Sequence, residues 1–90
     1  MDDLTGFQRD LLYVIAGFER PSGQDIKEEV EEYYSSEINH GRLYPNLDTL
    51  VNKGLVEKGQ LDRRTNYYAI TADGEQAIVD RQEWKSQYIG

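Results

Sequence analysis

Apolar positions along the chain fall into three runs with helical spacing, two short strand-like runs and a last helical run. Phe7, Leu11, Leu12, Val14, Ile15 and Phe18 cover more than one stripe, which predicts a first helix buried on more than one side. Thr5 and Gln8 stand at capping-box spacing with Leu4 ahead as a hydrophobic staple, and Gly17 and Pro21 bracket the end. In "SGQDIKEEVEEYY", Ser22 reads as an N-cap and the early acids suit the helix dipole. There Ile26, Val30, Tyr33 and Tyr34 form the inward face, and the outer face is charged.

The third run lies between Asn39, a cap, and Gly54, the residue just past the end. Leu43, Leu47, Leu50 and Val51 share one side with Tyr44 on its edge; Arg42, Pro45, Thr49 and Asn52 lie opposite. Pro45 withdraws the hydrogen bond to the Gly41 carbonyl, so irregular first turns are expected. "GLVEKGQ" and "TNYYAIT" have strand composition and flank "LDRR", a hairpin tip. Tyr67 and Tyr68 alternate across the second strand, so one packs inward and the other faces out; the pattern does not say which. Thr71 caps a final helix reaching Ile89, in which Ala77, Arg81, Trp84 and Tyr88 make a seam with Ile78 and Ile89 beside it. The order ααα-ββ-α is an α+β outline that fits a winged helix-turn-helix, read as one domain over residues 1–90.

A chain of 90 residues is near the lower end of what one core can hold, and it has no cysteine to add a disulfide or thiolate zinc site. A single histidine, His40, makes no metal site unaided. The remaining route to extra burial is a partner subunit. No Ser/His/Asp set, glycine-rich phosphate loop or metal-ligand cluster is present, so neither catalysis nor a cofactor is expected. No segment approaches a membrane span and the start lacks a signal-peptide pattern; a cytoplasmic protein with no membrane partner is expected.

The formal charge of −7 speaks against a nucleic-acid partner until its distribution is considered. Between Ile38 and Ile70 five bases face three acids, a local +2, and the rest of the chain carries −9. The excess of acids, with only four lysines, also resembles proteins of extreme halophiles. At about 1 M salt the Debye length is only about 3 Å, so distant acids barely repel a DNA phosphate.

"GRLYPNLDTLVNKGLVEK" followed by "RRTNYYAITADG" resembles the PadR family of winged-helix transcriptional regulators, and is most similar to short acidic PadR-like regulators of haloarchaea. Gly41, Leu43, Tyr44, Pro45, Leu47, Leu50, Gly54, Leu55, Tyr67, Tyr68, Thr71 and Gly74 carry the match, and "LLYVIAGFERPSGQDI" extends it to the first two helices. Arg42 departs from it, standing where many members have a small hydroxyl residue. The resemblance implies a homodimer on double-stranded DNA, with third helices in successive major grooves and wings on the flanking backbone or minor groove. Most regulators of this family repress.

Within that frame Arg42 and Asn52 are either base readers or solvated residues; bidentate contacts to guanine and adenine are the chemistry available to them. Asn46 and Thr49 have phosphate or base-edge roles open to them, and Tyr44, Pro45 and Lys53 complete the helix's candidate surface. His40, placed toward the core side, either touches phosphate or sugar or bonds locally. Arg63 and Arg64, adjacent at the hairpin tip, are expected at phosphates or a narrow minor groove, with Lys58 and Thr65 beside them. Asp48 is a solvated acid or holds an arginine in place. Phe7, Leu11, Ile78, Arg81, Trp84 and Tyr88 are the expected dimer interface, built by terminal helices over about 5–17 and 72–89. An aromatic ligand pocket at Trp84 and Tyr88 is the rival reading. Salt cations are expected to bridge the acidic surface and DNA.

Overall fold

The computed structural model describes residues 1–90. Helices α1 (Gly6–Gly17), α2 (Gly23–Tyr34) and α3 (His40–Asn52) precede strands β1 (Val56–Gln60) and β2 (Asn66–Ile70), and α4 (Ala72–Ser86) follows. Each helix begins where a short polar side chain takes an orphan N–H. Thr5 and Ser22 accept from the backbone N–H groups of Gln8 and Asp25, whose side chains accept in return. Asn39 caps α3 through the Arg42 N–H, and Thr71 caps α4 through the Gly74 N–H. Left-handed residues end two helices, Ser35 after α2 at φ 55° and Gly54 after α3 at φ 76°.

The strands pair antiparallel from Val56 with Ile70 to Gln60 with Asn66. Sequence patterning missed a third piece of this sheet: Ser22 bridges Tyr67, and the Tyr68 N–H donates to the Pro21 carbonyl at 2.9 Å. The chain entering α2 is thereby stitched to the hairpin, which fixes the wing against the helices. The core gathers Leu11, Leu12 and Ile15 from α1, Ile26 and Val30 from α2, and Leu43, Leu47 and Leu50 from α3. Ile38, Val56 and Tyr68 close it, so Tyr68 is the inward tyrosine and Tyr67 the half-buried one, with the Arg20 guanidinium 5.2 Å from its ring centre.

Several expectations change. Pro45 leaves α3 a continuous helix, because the carbonyl it orphans, that of Gly41, lies in the exposed first turn where water can reach it. Tyr33 is 79% exposed and leaves the inward face of α2 to Ile26 and Val30. Phe18 falls one residue past α1, where the turn to Pro21 directs it outward at 49% exposure. Phe7 and Leu11 are buried in the protomer's own core, at 8% and 0% exposure, so they have no surface left for a dimer contact; the wide apolar face of α1 is consumed internally. The last helix ends at Ser86, about a turn short of Ile89, and Tyr88 lies beyond it. No helix is long and apolar enough to cross a membrane.

Candidate nucleic-acid interface

α3 shows the solvent a ridge of Gly41, Pro45 and Asn52, with half-buried Thr49 beside it. None of these carries a charge, and the Thr49 hydroxyl donates to the Pro45 carbonyl at 3.0 Å. The cations flank this ridge and are already engaged. The Arg42 guanidinium lies 4.0 Å from the centre of the Phe7 ring on α1, a cation–π seat that the sequence did not announce. Lys53 pairs with Asp3 at 2.8 Å, and Lys58 on β1 reaches Asp48 on α3 at 3.8 Å. Asp48 thus steadies a lysine of the wing rather than an arginine. Asp3 is held below the ordinary carboxylate range, first by the hydrogen bond from Lys53 and then by its charge.

Asn46 is spent inside the protein. Its Oδ1 accepts from Gln8 Nε2 at 2.9 Å and its Nδ2 donates to the Arg42 carbonyl at 2.7 Å, tying α3 to the start of α1. Tyr44 is half-buried against Gly23 at the start of α2, and an edge-on His40 ring lies 5.4 Å away. His40 itself is exposed at the first position of α3, not turned toward the core. Asp3 and Gln8, and the place of Phe7 under Arg42 rather than at a dimer interface, are what sequence reading missed at this candidate site. Each acts through its approach from a distant segment, and no local pattern marks that.

At the hairpin tip Asp62 organises the turn: its Oδ1 accepts from the N–H groups of Arg64 at 2.9 Å and Thr65 at 3.0 Å. The Arg64 N–H, foremost, lowers the Asp62 carboxyl below its usual range. Arg63 and Arg64 are exposed and have no carboxylate in ion-pair range, so their guanidinium groups are free for an anion.

α4 is built differently. Gly74 is its one buried residue, held under the Leu55 carbonyl, while Ile78 and Arg81 are half-buried and Trp84 is 50% exposed. Trp84 and Tyr88 meet edge-on at 5.3 Å, and Arg81 lies 5.0 Å from the indole. Both aromatics, with Lys85 and Ile89, line a shallow apolar cleft of about 310 Å³, apart from the groove of about 440 Å³ between α1, α2 and α4 whose walls include Tyr13, Val14, Val30 and Tyr33. No group of three His, Cys, Asp or Glu residues is arranged to hold a metal ion.

Residues 11–80 match the model of the transcriptional regulator PadR-like family. The chain belongs to that family. RosR of H. salinarum, in crystals grown from NaBr, shares 58% identity over 98% of this chain and 80% of its own, with a TM-score of 0.90. RosR complex structures superpose with a TM-score of 0.92. A PadR family transcription regulator from Clostridium difficile, at 23% identity, shares the fold over 94% of this chain and 100% of that one with a TM-score of 0.70. No curated protein matches the chain. PadR-like proteins are transcriptional regulators, not enzymes, and α2 with α3 and the hairpin described above are the helix-turn-helix and wing of that fold.

Proposed function

We propose that this PadR-like chain works as a cytoplasmic homodimer that binds double-stranded DNA at a specific operator and represses transcription. α3 enters the major groove through its Gly41–Asn52 ridge, with Arg42 swinging from Phe7 to a base edge or phosphate. The wing lays Arg63 and Arg64 on the flanking backbone. The carrying observation is the gathering of an acidic protein's cations on α3 and the wing. Likeness to RosR, a regulator of similar size and shape, supports it.

The second copy docks on α4, which buries only a glycine and leaves Trp84 exposed, with Tyr88 and Ile89 exposed just past its end. Interfaces favour such aromatic residues, and a domain this small gains from the added burial. Cations taken up between the acidic surface and the phosphates accompany binding.

A protein-interaction module using the same helix and wing is the alternative, favoured by the carboxylates on Lys53 and Lys58. Competition binding with genomic fragments separates the two. Enrichment of a short palindromic site that survives salt supports the regulator. No enrichment at any salt supports the interaction module.

A further inference from the structure

A cleft of about 270 Å³ opens where the start of α2, the side of α3 and the root of the wing meet. We propose that it is a binding site for one phosphate of the DNA backbone, held by α2 as well as by the wing, with the Tyr68 hydroxyl as a donor. The proposal rests on the DNA-binding reading and adds to it a third element and a buried contact.

Two independent observations meet there. The first is the helix terminus. The N–H of Gln24, in the first turn of a 12-residue helix, is left over by the Ser22 cap, which takes the Asp25 N–H, while the Gly23 N–H faces the Asn66 carbonyl across the Ser22–Tyr67 bridge. Such a terminus favours an anion. The second is Tyr68, which forms part of the cleft wall, is 0% exposed and leaves its hydroxyl without a hydrogen-bond partner. An orphaned buried hydroxyl is costly in a folded protein and calls for a ligand or a role. Burial, foremost, pushes this phenol up to about 12, with the neighbouring Asp48 and Tyr44 adding to the effect. Protonated, it offers its O–H to an acceptor such as a phosphate oxygen.

The rest of the cleft suits the same ligand. Arg64 brings the charge from the wing, and Tyr44 brings a second hydroxyl from α3. A Cβ at position 23 would lie 2.6 Å from the Tyr44 hydroxyl, so glycine there is what allows Tyr44 to pack at the helix terminus. A half-buried Tyr44 turns slightly to admit the phosphate to Tyr68. Two acids stand nearby and both are occupied: Asp25 accepts from the Ser22 N–H, and Asp48 pairs with Lys58. Phosphate contacts of this kind fix orientation without reading sequence.

The test is Tyr68→Phe, measured for both unfolding by urea and DNA binding. Removing an unpartnered hydroxyl should leave stability unchanged or raise it, and should weaken operator and unrelated duplexes equally, by about tenfold, as loss of a hydrogen bond to a charged group does. A duplex with single phosphates replaced by neutral methylphosphonate locates the contact. One position per half-site should weaken the wild type while leaving Tyr68→Phe unaffected. Arg64→Gln, on the exposed wing where folding is not at stake, should lose its effect at that same position. Unchanged DNA binding by Tyr68→Phe, or an Arg64 effect at a different phosphate, overturns the proposal while the DNA-binding reading stands. Wild-type protein that binds no duplex at any salt defeats both. Inorganic phosphate gives the remaining arm: if it shifts the Gly23 and Gln24 amide resonances while no neutralised DNA phosphate matters, the cleft serves a small anion and the proposal fails.

Discussion

At the scale of single residues the free protein keeps Arg42, Lys53 and Lys58 occupied while Arg63 and Arg64 stand free, and this shapes what mutations should do. In the proposed binding mode Arg42 gives up a cation–π contact with Phe7, typically about 0.5–1 kcal/mol at an exposed site, for a contact to DNA. Arg42→Ala should therefore cost little stability, relax base preference at one position per half-site and weaken operator binding by about 1–3 kcal/mol. Single-base operator variants measured against the mutant check this, and uniform loss across all variants would assign Arg42 to phosphate instead. Lys53 must leave Asp3 before it can meet a phosphate. Asp3→Asn should strengthen DNA binding at low salt, with the gain fading as salt rises. Equal affinities at low salt would mean that Lys53 stays on Asp3 in the complex.

At the scale of elements, Glu31 shows how a carboxylate joins helices and how pH should loosen that join. Its Oε2 accepts from the Ile38 N–H at 2.8 Å and from Lys27 at 2.9 Å, fastening the end of α2 to the approach of α3. The Ile38 N–H, then Lys27, holds its pKa below the ordinary value. A depressed carboxyl adds stability that is fully present above its unfolded pKa and is lost as pH falls through the folded one. Glu31→Gln should lower the melting temperature at neutral pH and flatten part of the acid-side decline; a parallel curve would show that Glu31 does not carry it. Gly74→Ala should be more severe, about 1–3 kcal/mol by overpacking, because its Cβ would collide with the Leu55 carbonyl where α4 meets the hairpin. Urea unfolding checks the size.

The same scale explains what could be read from the chain. Caps at Thr5, Ser22, Asn39 and Thr71 are local, with donor and acceptor within three residues, so four helix starts were legible. The family motif named the fold. The seat of Arg42 on Phe7, the Gln8 clamp on Asn46 and the Pro21 bond to Tyr68 join segments far apart in sequence, and nothing local encodes them. Helical spacing also overstated Tyr33 and Phe18, since it shows which side a residue lies on but not whether a neighbour covers it.

At the scale of the whole molecule, the extended shape, 44 × 29 × 21 Å, and the sparse burial of α4 leave room for the proposed partner on the terminal helix. Trp84→Ala with Tyr88→Ala should give a monomer or an unfolded chain in sedimentation; a stable dimer would move the interface elsewhere. An ordinary basic binder weakens with salt at a slope of roughly −0.9 per phosphate neutralised, whereas the proposed acidic dimer with cation uptake on binding should show a flat or rising dependence. The most direct test selects duplexes from a random library at several salt concentrations and counts protein chains per bound duplex. The account predicts a palindromic site with half-sites about one helical turn apart and two chains on it. A site without two-fold symmetry occupied by one chain, or no selected sequence at any salt, would contradict it.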